Sequence, residues 1–305
     1  MIEYIKKTTK IGESKKSKKY SRGSWIKVVD PTEKEINFLV KEFGLERDNL
    51  DDGLDLNEIP RIEEEKGNSY IFLRVPTSKI SGESSSSFLV ISNKSNIITI
   101  SKHDLEIFDK VKDLRRLFTN RNSLFILQLL SYISSRFNFE VRKILKEVKT
   151  DKRNILKLKN KDILDLVLEE DKLNNYLSSF SPLIGMHQKM IKLKSLKFRD
   201  NEKEFIEDLI IDLNQTLNTS KAALKTISNM RDYYSTTLSN NINKTITILT
   251  VFTVFLTIPA VFSSIYGMNL SLPFQANPLT FWFLGGMVVV IWAILFFAFK
   301  KGKII

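Results

Sequence analysis

The stretch TITILTVFTVFLTIPAVFSSIYGMN, residues 245–269, decides the fold of the 305-residue chain that contains it. Residues 245–266 include no Asp, Glu, Lys, Arg or His, and roughly 20 such residues, rising 1.5 Å each, cross the hydrocarbon core of a bilayer. A second uncharged run, LTFWFLGGMVVVIWAILFFAF at 279–299, follows almost at once. Residues 270–278 between them are too few for a domain. The two runs are therefore expected as antiparallel transmembrane helices, and Tyr266-Gly267-Met268-Asn269 as one membrane mouth.

The flanking charges orient this pair. Lys244 precedes the first run, Lys300, Lys301 and Lys303 follow the second, and the loop between has no basic residue. By the positive-inside rule both outer ends face the cytoplasm. The N-terminus has no apolar signal-like core, so the long soluble part is expected to stay on that side. The expected location is the cell inner membrane, multi-pass, with both termini cytoplasmic.

Composition narrows the chemistry. A net charge of +12, a pI near 9.5 and 43% hydrophobic residues suit a large soluble part with a small membrane part. There is no cysteine, and His103 and His187 are the only imidazoles, without partners at metal-ligand spacing. No phosphate loop, HExxH or GxSxG occurs, which argues against ATP-driven transport and against an enzyme. No cofactor is expected.

Outward from the spans, the longest element is a helix. Between 204 and 258 there is no Pro or Gly, and Ile206, Ile210, Leu213, Leu217, Leu224, Ile227, Tyr234 and Leu238 recur at steps of 4, 3 or 7. The spacing predicts a stalk helix over 204–242 that runs on into the first span at 243–266, a rod on the order of 90 Å. Upstream, 24–203 reads as an α/β domain: a strand ending at Val29, a helix from Pro31-Thr32 to Gly44, and strands at 61–65, 69–75, 87–91 and 96–100. From His103 onward the pattern is helical, with one break expected at Pro182 and Gly185 and a basic hairpin tip at 149–161. Residues 1–23, rich in Lys and Ser, are expected to be a mobile basic arm; lacking interleaved aromatics, it implies no nucleic-acid partner. The remaining segments are the loop 267–278, the second span 279–299 and a basic tail 300–305.

Two spans cannot enclose a water-filled path, so conduction would need a symmetric homo-oligomer in the lipid. The first span offers a face for it. Asn243, Thr247, Thr250, Thr257, Ala260 and Ser264 lie at steps of 3, 4 or 7, with Thr253 beside them and Leu249 as an apolar constriction that gates by dewetting. Such a stripe also suits close helix packing. Asn243 and Asn269 bracket it, and rings of amide oxygens suit an ion that keeps its water, as Mg²⁺ does. Gly267 is expected to let the chain leave helical geometry at Met268 and Asn269, and Pro259 to bend or loosen the helix below the mouth. The aromatics of the second span, Phe281, Trp282, Phe283, Trp292, Phe296 and Phe297, are expected to face lipid.

The chain resembles the CorA family of magnesium channels over nearly its whole length. Tyr266-Gly267-Met268-Asn269 resembles the family signature. Asp51-Asp52, then Pro60-Arg61-Ile62-Glu63 and Tyr70-Ile71-Phe72, resemble its acidic pair, its Arg-Pro-Lys-like element, here in Pro-Arg order, and the following strand. The resemblance implies an α+β cytosolic domain, with a small mixed sheet flanked by helices. A very long stalk helix would join it to a two-helix transmembrane region, the whole forming a funnel-shaped homopentamer. It further implies that Gly267, Met268 and Asn269 form the selectivity filter for divalent cations, Mg²⁺ and also Co²⁺ or Ni²⁺, with Asn243 near the inner entrance. Mg²⁺ is then both substrate and regulatory ligand, sensed between subunits by Asp51 and Asp52 of one and Asp208 and Asp212 of the next. Two features depart from the family pattern: residues 270–278 carry no carboxylate, and the hairpin tip is basic. A zinc transporter of the same architecture, with GIN for GMN, and a non-conducting coiled-coil scaffold are the alternatives.

Overall fold

A computed structural model describes residues 1–8, 11–17, 20–77, 83–93, 96–113, 118–153, 160–270, 272–273 and 277–302. They fall into two units, Met1–Met230 and Arg231–Ile305.

The first unit is built on a seven-stranded mixed sheet in the order β2-β1-β3-β7-β6-β5-β4. Its strands are β1 (Ile2–Thr8), β2 (Ile11–Ser17), β3 (Trp25–Val29), β4 (Arg61–Glu65), β5 (Asn68–Pro76), β6 (Ser85–Ser92) and β7 (Ile97–Ser101). Among the described residues only β3 and β7 pair in parallel, Trp25 opposite Ile97 and Val28 opposite Ile100. The central strands are buried on both faces, so they read as nearly continuous apolar runs, and alternation sorts their side chains into two cores. Trp25, Ile71, Leu73, Val75, Phe88, Val90 and Ile97 join the core shared with α3 (Glu106–Asp113), α4 (Asn122–Arg153), α5 (Asn160–Lys192) and the start of α6 (Asp200–Tyr266). Ile26, Val28, Tyr70, Phe72, Leu89, Ile91, Ile98 and Ile100 join the opposite core, under α1 (Glu33–Phe43) and α2 (Arg47–Asp52). Trp25, fully buried, donates from its indole to Thr99 Oγ1 at 2.9 Å, so its one polar atom is satisfied.

Local signals set the helix ends. Thr32 accepts from the Glu35 amide and Glu35 returns a bond to the Thr32 amide at 2.9 Å, a capping box. Gly44 closes α1 in the left-handed region, φ 63°. The buried Glu202 secures the start of α6, accepting from the Arg199 amide at 3.0 Å and pairing with Arg121 at 2.9 Å. Further along α6, Ile206, Leu213 and Ile227 are buried, and Ile210, Leu217 and Leu224 pack against the same core, as the seam predicts.

Two expectations are corrected. The first 23 residues, read as a mobile arm, contribute β1 and β2: Ile2–Ile5 pair with Val28–Trp25, and Lys15 and Lys16 lie opposite Lys6 and Ile5. Sparse apolar residues suffice because neighbouring strands supply the rest of the burial; Ile5 is 1% exposed. Secondly, α5 runs through Pro182 and Gly185. The buried Phe180, Leu183, Met186 and Met190 hold it in one piece, and the chain turns instead beyond Lys192, with Lys197 at φ 49°. The middle of the basic hairpin tip, 154–159, lies outside the described residues, as do parts of the loop 270–278 and Lys303.

The second unit comprises the rest of α6 and α7 (Leu279–Lys301). Each of these helices holds an apolar window long enough to cross a membrane, with none of that window buried within the single chain. Both pass the length test that the uncharged runs suggested.

Candidate functional site

In the second unit, one side of α6 meets α7. Val251, Val254, Phe255, Ile258, Pro259, Phe262 and Tyr266 are half-buried, whereas Asn243, Leu249, Thr250, Thr253, Thr257, Ala260 and Ser264 are exposed and Thr247 is half-buried. The stripe of small and hydroxylated residues thus lies mostly away from α7. Thr250, Thr253 and Thr257 border an apolar groove of about 590 Å³ with Val254, Ile258, Val261, Phe262 and Ile291.

The threonine hydroxyls have a common geometry. Thr247 donates to Asn243 O at 2.8 Å, Thr250 to Ile246 O at 2.9 Å, Thr253 to Leu249 O at 2.8 Å and Thr257 to Thr253 O at 2.8 Å. Each hydroxyl spends its one proton within the helix. What it presents outward is lone pairs, which can accept from water in the shell of a cation.

Helix α6 stops at Tyr266. The Gly267 amide still bonds Ser263 O at 2.9 Å, and Met268 N reaches Ile265 O at 3.3 Å, a tightened last turn. Left-handed freedom is not what Gly267 supplies, since its φ is not positive. Space is the constraint: a Cβ there would stand 3.1 Å from Ser263 O. Met268 and Asn269 are exposed beyond this turn.

Pro259 does not end α6. It leaves Phe255 O without its helical donor, and the Trp292 indole on α7 donates to that oxygen at 2.9 Å. Trp292, expected to face lipid, is therefore turned toward α6. Phe281, Trp282, Phe283, Phe296 and Phe297 are exposed.

In the first unit the four aspartates stand apart in kind. Asp51 and Asp52 end α2, an element with no strong sequence signal. Asp51 pairs with Arg47 at 3.3 Å, and Asp52 pairs with Arg61 at 2.7 Å. Arg61 also holds Glu58 and, at 2.8 Å, Glu63, and its guanidinium lies 3.8 Å from the Phe72 ring centre. Part-burial works against the charge of Arg61, but hydrogen bonds to Glu63, Glu58 and Asp52 outweigh it and raise its pKa. Asp208 and Asp212 are exposed on α6, away from the buried Ile206, Leu209 and Leu213. Among the described residues, no three acidic, His or Cys side chains of one chain are grouped to hold a metal. The role of Arg61 as hub was missed in the sequence, although the acidic residues around it were in view.

Residues 21–301 match the model of the CorA-like Mg²⁺ transporter protein family. The chain belongs to that family. CorA-family proteins are divalent-cation transporters of membranes. The chain is similar to the cobalt/magnesium transport protein CorA of Methanocaldococcus jannaschii, 24% identical over 289 residues that cover 91% of this chain and 90% of that protein. Its fold is that of the complete CorA magnesium transporter structure from the same organism: TM-score 0.84, 21% identity, 99% of this chain and 98% of the other. A similar fold is found in the ZntB cytoplasmic domain from Vibrio parahaemolyticus, with TM-score 0.63 and 10% identity over 78% of this chain and 98% of that one.

Proposed function

We propose that this CorA-family chain is a channel through which the membrane potential drives Mg²⁺ into the cell, with Co²⁺ and Ni²⁺ as further substrates. The observation that carries the reading is the stripe on α6, whose back-bonded threonines offer only oxygen acceptors and which leads to Asn269 just past the helix end. Such a wall suits an ion that keeps its water. Entry needs no fuel, since a divalent ion crossing 100 mV gains about 4.6 kcal/mol, twice the value for one charge. The name of the M. jannaschii relative, a cobalt/magnesium transport protein, supports Mg²⁺ and Co²⁺.

In this reading five copies surround one pathway, with residues 243–266 lining it, 267–278 outside and 279–299 toward lipid. The groove beside Thr250, Thr253 and Thr257 accepts a second copy. Both termini lie in the cytoplasm at the inner membrane. Gly267, Met268 and Asn269 form the filter, and Leu249 closes the path when dry. Cytosolic Mg²⁺ bound between Asp51 and Asp52 of one copy and Asp208 and Asp212 of the next favours the closed state and shifts the population toward it.

The test is Mg²⁺ uptake in a strain lacking its own transporters. Wild type restores uptake and Asn269→Ala does not; equal restoration by both removes Asn269 from the pathway, and a wild type that restores none favours the non-conducting scaffold. The fold likeness to ZntB motivates a second reading, zinc transport. Liposome flux with Mg²⁺, Co²⁺, Ni²⁺ and Zn²⁺ separates the two, and zinc flux without Mg²⁺ flux would replace our assignment.

A further inference from the structure

Proline at 259 has no N–H to give the carbonyl four residues earlier, that of Phe255. Within a bilayer core no water stands ready to replace the missing donor, and a bare carbonyl there is costly. The replacement comes from the other helix. Trp292 Nε1 donates to Phe255 O at 2.9 Å, and the two rings pack with centroids 5.9 Å apart at 45°. Phe299 also packs against Phe255, with ring centroids 6.3 Å apart. An indole N–H is a donor only, so the direction of this bond is fixed by chemistry.

We propose that Trp292 is a positioning residue for ion transport: its indole N–H takes the place of the donor Pro259 lacks, and so sets the outer turns of α6 against α7. The proposal rests on the reading of α6 as the helix that lines the pathway. The segment it governs carries Ala260, Ser264 and the Gly267-Met268-Asn269 corner. A bond that an ordinary helix keeps to itself has here been moved between two helices. A tilt of α6 at the proline therefore either carries α7 with it or breaks the Trp292 bond. The sequence alone pairs a proline in the first span with an indole in the second; only their juxtaposition assigns one to the other.

The test uses the full-length oligomer in liposomes and nanodiscs, comparing wild type, Trp292→Phe, Pro259→Ala and the double variant. Trp292→Phe keeps an aromatic ring and removes the donor. Its maximal Mg²⁺ flux is expected to fall about fivefold or more, while the half-saturating external Mg²⁺ stays within about twofold, because the filter residues are untouched. In the Pro259→Ala background the restored backbone amide can bond Phe255 O, so removing the indole is expected to cost less than about twofold. Equal losses in both backgrounds, or no loss in the Pro259 background, overturn the proposal. If Trp292→Phe does not assemble, the indole proton resonances of the three tryptophans, assigned with Trp25→Phe and Trp282→Phe, read the bond directly. In wild type the Trp292 signal lies downfield and exchanges slowly. It should move upfield and exchange faster in Pro259→Ala, and an unchanged signal overturns the proposal. This second measurement does not depend on transport: a wild type that carries no Mg²⁺ overturns the channel reading, while the resonance still decides the bond.

Discussion

Asp52 already has a cation beside it. Arg61 lies 2.7 Å away and also holds Glu58 and Glu63, so three carboxylates share one guanidinium. In the proposed sensor, Mg²⁺ must compete with Arg61 for Asp52. Arg61→Ala is therefore expected to lower the internal Mg²⁺ needed to halve the flux by a few-fold, in line with the up to about 1 kcal/mol of a part-exposed ion pair. Asp52→Ala and Asp208→Ala should shift the same inhibition curve the other way. If Arg61→Ala moved it in the direction of Asp52→Ala, competition would not be its role. The acidic pair was legible as a motif, but the guanidinium that pairs with Asp52 was not. Arg61 is separated from Asp52 by a turn, and only the pairing of β4 with β5 places it over Phe72.

His187 is the other residue whose state the fold dictates. Burial in α5 pushes its pKa down to about 4, although the bond between Nδ1 and Leu183 O opposes the shift. The folded pKa lies below the ordinary 6.5, so the unfolded chain binds more protons between these values, and stability falls as pH drops from about 6.5 to about 4. The full shift corresponds to roughly 3 kcal/mol. A thermal melt series across that range should show a falling midpoint. His187→Leu should flatten part of the dependence, and an unchanged slope would show that other groups dominate it.

At the scale of elements, helix α6 was the easiest to read because its apolar seam and its uncharged run have no competing interpretation. The ends of α1 were equally legible, since Thr32 and Gly44, read as its bounds, are its N-cap and C-cap. Strands β1 and β2 escaped notice because a strand at the outer part of a sheet needs few apolar residues of its own. Ile2 and Tyr4 face one core and Ile5 the other, and Lys6 and Lys7, directly after them, masked the alternation. The expectation of a helix break failed at Pro182, where packing offset the lost bond, whereas Pro259, expected only to bend or loosen its helix, lies within a continuous α6 and has its lost bond replaced from Trp292. For the proposed pathway, Thr253→Val keeps the shape and removes the oxygen. It should lower single-channel conductance severalfold at unchanged surface expression, and full conductance would take Thr253 off the wall. Leu249→Asn, which wets the proposed constriction, should leave a Mg²⁺ leak when internal Mg²⁺ is high. A channel that still shuts fully would place the gate elsewhere.

For the molecule as a whole, the expected assembly is five copies. Native mass spectrometry of the detergent-solubilised protein should give a dominant mass near five times the 35.3 kDa chain, and a monomer or dimer would leave no continuous wall around a pathway. In such an assembly, the orientation of four hydroxyls bears on which sign of charge can pass. Thr247, Thr250, Thr253 and Thr257 have each given their proton to their own helix. Chloride needs donors for solvation and would find only lone pairs along that stretch. Rejection of anions would then come from the direction of fixed dipoles rather than from a carboxylate, and nothing in it would titrate between acid and neutral pH.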